Sequence, residues 1–424
     1  MNRIFLAAVL LLALVLRIFF WLEVAGPDAP LRGDEIDYDS IARSLASGGG
    51  FAAAGGAATA ARPPLYPLLL GGVYRAVGVR VEAGRILQIL LGVSIVLLTH
   101  MLARRLFREG VALLSAAAVA FDPSLIFISS YLLAENLYIA LLLSFLVLFA
   151  RAAARPPSYA ACAAGGILLG LASLARPNAF PFALFAAAGF LAFGAGTARS
   201  RLAKSMVIVA GVLITIAPWA ARNEMRFGKP VLFTTHGGIT FYQGNNIVAY
   251  EEPGYRGTVA PLQSLPGWDR IKGMDEVAGD EEAWRLGWTF VREHPGPAAR
   301  MAAWRFMRFW RLSGDAPFSG VRSGWWWDKG KRFGGLATSF DAVLVFSIVV
   351  IPLFVLGLLL TARRARSLVY LYGVIIVHTA TALLFFGSLR ARLGVEPVIA
   401  VFAACAALRL IEAARHGENR RFVD

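Results

Sequence analysis

The stretch RGDEIDYDSIARSL, residues 32–45, places the four carboxylates Asp34, Glu35, Asp37 and Asp39 within six positions, in a chain with only 27 acidic residues against 42 basic ones. A carboxylate at the edge of a desolvated cleft can act as a general base toward a hydroxyl or an amine. Such a reaction also needs cations to hold a departing anion, and Arg is suited to bidentate recognition of phosphate. Arg62, directly before Pro63-Pro64, and Arg390 and Arg392 in SLRARLGVEP supply three guanidiniums. Glu135 opens an apolar run and is the candidate for a second acid, either orienting an acceptor or sharing a cation with Glu35. An ordinary reading stands beside each of these. Asp34 suits a helix N-cap, and Asp37 and Asp39 read as solvated or capping groups. Glu135 fits a helix N-terminal acid, and a single Arg at a membrane edge is usually a headgroup contact. The gathering of several Arg opposite acids is what favours a phosphate site.

The elements that carry these groups are hydrophobic. The chain has 424 residues, 58% hydrophobic and 16% charged, against about 25% charged in soluble domains. Apolar runs near the length of a bilayer crossing predict an all-α polytopic membrane protein. The net charge of +15 does not indicate nucleic acid as a partner, because the positives fall in short loops between apolar runs. Only five of the 42 basic residues are Lys. Placing the loops with Arg104, Arg105 and Arg108, with Arg151 and Arg155, with Arg199, Arg201 and Lys204, and with Arg363, Arg364 and Arg366 in the cytoplasm predicts ten spans. These are 4–24, 83–103, 111–131, 133–152, 159–175, 178–195, 203–221, 341–361, 367–387 and 393–412. The first run is long for a secretory signal and is read as a retained span. Segment 63–78 is short and begins with two prolines, and its crossing would invert every later basic loop. It is read as a juxtamembrane or re-entrant helix.

This arrangement divides the chain into an N-terminal transmembrane region (1–221) with a catalytic first outer loop (25–82), an outer segment (222–340), and C-terminal spans with a cytoplasmic tail (341–424). Asp34, Arg62, Glu135, Arg176, Asn178, Arg222, Asn223, Arg390 and Arg392 all fall on the outer face. Polar groups near membrane depth are costly and commonly functional. Residues 294–312 alternate Trp304, Phe306, Phe309 and Trp310 with Arg300, Arg305, Arg308 and Arg311, which predicts an interfacial helix with its Arg at headgroups. Trp325, Trp326 and Trp327 suit an aromatic belt. Cys162 and Cys405 lie in apolar spans and offer no disulfide framework. His100, His236, His294, His378 and His416 are scattered, with no metal-ligand spacing, and no Walker-type phosphate loop is present.

Six segments together resemble a known family: GDEIDY, ARPPLYPLLL, LLAENLYIALLL, APWAARNEMRFGKPVLFTTHGGITFYQGNN, EHPGPAARMAAWRFMRFW and SLRARLGVEPVIAVFA. In this order they resemble the GT-C membrane glycosyltransferases of the protein O-mannosyltransferase and aminoarabinose-transferase type (glycosyltransferase family 39). The resemblance implies a GT-C-like bundle of about 10–12 transmembrane helices in the cell (inner) membrane. It implies a polyprenyl-phosphate-linked sugar donor, transfer on the periplasmic or exterior side, and inversion at the anomeric carbon. Carried over by residue, Asp34 is the expected base and Glu35 its supporting acid. Arg62 contacts the donor phosphate, Glu135 is the second outer acid, and Arg390 or Arg392 is the late basic group. Tyr38, Tyr66, Arg176, Asn178, Arg222, Asn223 and Asn245 are candidate lining residues. Some relatives place a metal-ligating acid before the basic residue. Here that position is Ala61, so no cofactor is required by the sequence and a divalent metal is unsupported. A transporter or flippase of lipid-linked saccharides is the alternative, which would carry midplane polarity or paired broken helices; the charges here gather at one face instead. The outer segment is short for a dedicated acceptor domain, which points to a glycan or lipid acceptor ahead of a protein.

Overall fold

The structure, a computed structural model, describes residues 2–312 and 339–421. Among them it is helical, and the only β pairing is one isolated bridge between Ala52 and Ala58. Helix α1 (Asn2–Phe19) runs on through a π-helical turn (Phe20–Ala25). It is followed by α2 (Asp34–Ala46), α3 (Leu65–Val77), α4 (Val81–Leu106), α5 (Glu109–Phe121), α6 (Pro123–Ile128), α7 (Glu135–Phe149), α8 (Tyr159–Ala175), α9 (Ala179–Phe193) and α10 (Ala198–Phe227). A group of shorter helices follows: α11 (Gly237–Gly244), α12 (Ile247–Glu251), α13 (Trp268–Lys272), α14 (Glu276–Glu293) and α15 (Pro295–Trp310). The chain closes with α16 (Ser339–Thr361), α17 (Val369–Leu384), α18 (Leu389–Arg392) and α19 (Glu396–Arg421).

Five segments among the described residues are long and apolar enough to cross a membrane: Arg3–Ala25, Val81–Leu106, Ala198–Phe227, Val345–Leu384 and Glu396–Arg415. Five further apolar helices have 10–17 residues. One of these is α3, whose 13 residues rise about 20 Å, short of a hydrocarbon core of about 30 Å. The expected single span over 111–131 is instead divided. Pro123 cannot donate to the preceding turn, and Asp122 accepts from the amides of Ser124 at 2.8 Å and Leu125 at 3.4 Å. The helix therefore ends at Phe121 and a new one starts.

Small residues set the closest helix approaches. A Cβ on Gly166 of α8 would fall inside the van der Waals radius of the Ile208 carbonyl oxygen on α10. Backbone contact of this kind is how helices gain packing energy in lipid, where burial itself drives little association. Gly166→Ala should force α8 and α10 apart and cost about 1–3 kcal/mol, read as a lower unfolding temperature in detergent. Unchanged thermal stability would show that the interface is soft.

Helices α11–α15 form a compact group around Tyr242, Ala249, Leu265, Ile271, Ala283 and Met301. Here one expectation is corrected. Arg305 of α15 does not reach headgroups. It is 2% exposed, donating to the carbonyls of Leu383, Leu384 and Gly244 and to Asn245 Oδ1 at 2.7–2.9 Å. It clamps α15 to the end of α17 and to α11. The helical face that carries Arg305 also carries Met301 and Phe309, which are buried. Trp325, Trp326 and Trp327 lie outside the described residues.

Candidate active site

The four acids of the opening stretch are sorted by helical phase. Helix α2 begins at Asp34, after Gly33 at φ +51°, a conformation that favours glycine. At 3.6 residues per turn, Asp34, Asp37 and Tyr38 share one face, and Glu35 and Asp39 share another. The second pair turns inward. Glu35 is buried, and its carboxylate accepts from the amides of Leu132 at 3.1 Å and Arg32 at 3.3 Å. Asp39, also buried, accepts from Tyr74 Oη at 2.7 Å and Arg43 Nε at 2.6 Å. Asp39 is thus neither solvated nor a cap.

The first pair opens onto a crevice lined by guanidiniums. Asp34 does not cap α2 with its side chain. Its Oδ1 lies 2.7 Å from Arg62 Nη2 and its Oδ2 lies 2.6 Å from Arg390 Nη1. Arg62 also donates to Asp37 Oδ2 at 2.7 and 3.0 Å, and its guanidinium sits 5.7 Å from the Tyr38 ring centroid. Asp37 therefore belongs to the cluster, against the expectation that it is solvated. Arg390 Nε pairs with Glu135 Oε1 at the start of α7, and that oxygen also meets Arg176 Nη1 at 2.5 Å. Glu135 shares its cation with Asp34, not with Glu35. The result is an alternating chain Arg176–Glu135–Arg390–Asp34–Arg62–Asp37, with three cations and three anions. The side chains of Arg62, Arg390 and Asp34 keep 15%, 22% and 24% exposure, whereas Glu135 keeps 2%. The crevice is open above Asp34 and closed beneath Glu135.

The remaining candidates are placed elsewhere. Arg392 turns away and pairs with Glu396 at 2.7 Å, both nearly fully buried. Tyr66 is buried edge-on to Tyr38, with its hydroxyl accepting from Gln88. Arg222 stacks among Phe51, Trp219 and Phe227 and donates to the carbonyls of Thr59 and Phe51. Asn223 donates to the Val231 carbonyl, and Asn245 donates to those of Phe241 and Leu384. Asn178, two residues after Arg176, has a buried Oδ1 with no partner among the described residues.

Two groups that sequence reasoning passed over complete the site. Glu276, the first residue of α14, receives the Ala60 amide at 2.7 Å and the Thr59 hydroxyl at 2.8 Å, and it also receives Thr235 Oγ1. The Thr235 amide returns a bond to the Ala60 carbonyl at 3.0 Å, and Thr234 Oγ1 donates to the Ala61 carbonyl at 2.7 Å. This clasp fixes Arg62 from below and brings His236 to the cluster.

Electrostatics follow from the geometry. Burial alone would raise the Asp34 carboxyl, but Arg390 and Arg62 hold it well below the usual carboxylate range. Arg62 and Arg390, although buried, are pushed above their ordinary values by Asp34 and by their other acidic neighbours. Burial pushes the Tyr38 hydroxyl up to about 12, so it stays a hydrogen-bond donor. Burial and then Arg62 push His236 down to about 4, and it is neutral at pH 7. A His whose folded value lies below its unfolded value of about 6.5 contributes stability that is present above that value. That contribution is lost as pH falls from 6.5 toward 4. His236→Gln should therefore remove part of the acid-side loss, by about 1–3 kcal/mol, seen as a flatter stability profile across that window. Identical profiles would exclude His236 as the source.

Residues 61–221 match the family dolichyl-phosphate-mannose-protein mannosyltransferase. No curated protein sequence matches the chain. Among solved structures it is similar to the archaeal oligosaccharyltransferase AglB from Archaeoglobus fulgidus in complex with an inhibitory peptide and a dolichol-phosphate. That match has 16% identity and a TM-score of 0.57, covering 98% of this chain and 52% of the other. The same enzyme in complex with Zn and sulfate matches at 15% identity and a TM-score of 0.59, over 97% and 50% of the two chains. ArnT from Cupriavidus metallidurans bound to undecaprenyl phosphate matches at 14% identity and a TM-score of 0.47, over 96% and 77%. The chain thus spans about half the length of the AglB structures. Among the described residues no group of three or more His, Cys, Asp or Glu gathers as a metal site, and both Asp34 oxygens are held by Arg. The donor set does not fit a metal at this position. The chain has the fold seen in the archaeal oligosaccharyltransferase AglB, and the stretch that carries Arg62, Glu135 and Arg176 matches the dolichyl-phosphate-mannose-protein mannosyltransferase family model.

Proposed function

We propose that the protein is a membrane glycosyltransferase that moves a sugar from a polyprenyl-phosphate donor to a glycan, lipid or protein acceptor on the outer face, with inversion. One observation carries the reading: a partly exposed carboxylate, Asp34, suspended between two guanidiniums that each retain donors without a protein acceptor. Arg390 spends Nε and Nη1 on the acids, leaving Nη2 free, and Arg62 spends Nε and Nη2, leaving Nη1 free, among the described residues. Free N–H groups on fixed guanidiniums suit phosphate oxygens. The dolichol-phosphate in the AglB complex supports a donor of this class.

In the step, the acceptor hydroxyl or amine attacks C1 of the sugar from the side opposite the phosphate. The new bond to C1 forms as the C1–O bond to phosphate breaks, the electron pair stays on the phosphate oxygen, and the acceptor proton passes to Asp34. Arg62 and Arg390 offset the charge developing on the phosphate, a stabilisation that fixed dipoles and charges deliver without reorganisation. In the resting site the same guanidiniums make Asp34 a weak base. When they turn hydrogen bonds toward the donor phosphate, that restraint loosens and the carboxylate gains basicity where the acceptor arrives. Glu135, held between Arg390 and Arg176, fixes the orientation of Arg390.

The test is transfer by purified protein in lipid from a panel of radiolabelled polyprenyl-phosphate sugars. Transfer of one sugar to an added glycan or lipid acceptor supports the reading and names the donor. Movement of intact labelled lipid across the bilayer without transfer would replace it with a flippase.

A further inference from the structure

At the end of the bundle opposite the Asp34 cluster the chain builds a second charged cavity. Helix α4 has 26 residues, a rise of about 39 Å, so Phe107 at its far end lies more than a hydrocarbon thickness of about 30 Å from the end near α2. Beside it, where α5, α16 and α19 meet, is a cavity of about 320 Å³. Its lining includes three guanidiniums, Arg108, Arg364 and Arg409, and one acid, Glu412, for a net of two positive charges.

These Arg are not equivalent. Arg108 is paired with Glu412. Arg364 donates to the Leu106 carbonyl at 2.9 Å and lies 5.1 Å from the Phe107 ring centroid. Arg409 is exposed and takes part in no hydrogen bond or ion pair among the described residues. One turn from these Arg along the chain the lining turns apolar, with Val111, Leu360 and Cys405, and Leu360 is 51% exposed. A cavity whose cations adjoin an exposed apolar residue one turn along the chain matches a phospholipid with its phosphate inward and its acyl chains along the helices. Basic pockets between transmembrane helices at the cytoplasmic side select anionic headgroups on this ground. We propose that this cavity binds the headgroup phosphate of an anionic phospholipid from the leaflet opposite the Asp34 cluster. The inference goes beyond glycosyl transfer and does not rest on it.

The experiment is native mass spectrometry of the full chain, released from micelles containing equal phosphatidylglycerol and phosphatidylcholine. The wild type should retain phosphatidylglycerol preferentially, and Arg409→Glu should cut that preference by about tenfold, since each surface guanidinium contributes measurably to anionic-lipid attraction. Arg155→Glu makes the same charge change at an exposed residue of the same face, outside the cavity, and should leave the preference intact. Arg409 is on the surface of α19, so its variants fold, and Arg409→Gln should give an intermediate loss. Equal retention by wild type and Arg409→Glu overturns the proposal. So does equal loss in Arg155→Glu, which would make the effect one of net charge. Displacement of the lipid by inorganic phosphate would reassign the cavity to a soluble anion and overturn it as well.

Discussion

Asp34→Asn should lower sugar transfer by about 10²–10⁴-fold, the range that a positioned general base contributes. The substitution is nearly isosteric, so the crevice keeps its shape. It also removes the anion that holds Arg62 and Arg390, and those guanidiniums are then freer to bind phosphate. Donor affinity should therefore hold or rise while kcat collapses. This split separates a base from a residue that merely maintains the fold, whose loss would weaken binding and rate together. Steady-state transfer beside donor binding by the purified variant checks it. An Asn variant that transfers at the wild-type rate would reduce Asp34 to a structural ion-pair partner.

Arg390→Gln should be costly in a different way. Among the described residues, Arg390 is the only one that bridges Asp34 and Glu135. Without it, Glu135 keeps Arg176 alone, and its Oε2 has no partner among the described residues even in the intact cluster. Removing one member of a buried pair leaves a charge uncompensated, and losses of about 3–5 kcal/mol are typical. Thermal unfolding in detergent should show a large drop, with weakened donor binding. The double variant Arg390→Gln with Glu135→Gln should recover part of the stability, because the orphaned charge is gone, but none of the donor affinity. A double variant no more stable than the single one would mean that the coupling lies elsewhere.

Much of this site was legible because its chemistry is written in residue types at the ends of apolar runs. Glu135 and Arg390 fall within a few positions of a span boundary, Arg62 directly precedes a short apolar segment, and Asp34 opens an acid cluster in the first loop, places where a charge is unusual enough to be noticed. What was not legible depends on phase and on distant contacts. Arg390 and Arg392 stand two apart, which on a helix is about 200°, so only one faces Asp34 and the other turns to Glu396. Which one depends on where the short helix starts, and that is set by Ser388 accepting from the Ala391 amide. The same rotation separates Asp37 from Asp39. Glu276 and His236 lie in a segment read as an outer loop, and their approach to residues 59–62 is a tertiary contact with no local signature. Arg305 was misplaced because amphipathic alternation of Arg and aromatics looks the same on a membrane surface and in a polar interior.

The alternating chain of acids and guanidiniums has a consequence for turnover. On the proposed mechanism, the leaving lipid phosphate would compete for the guanidiniums that Asp34, Asp37 and Glu135 hold at rest. Those carboxylates cannot diffuse away, so they act as tethered rivals of the product at high effective concentration. Each departure of phosphate would be matched by reclosure of ion pairs, which offsets part of the cost of release. A site built only of cations would grip its donor harder and would be stalled by its own product. In the site proposed here the tethered carboxylates would lower affinity for donor and product alike and so ease release.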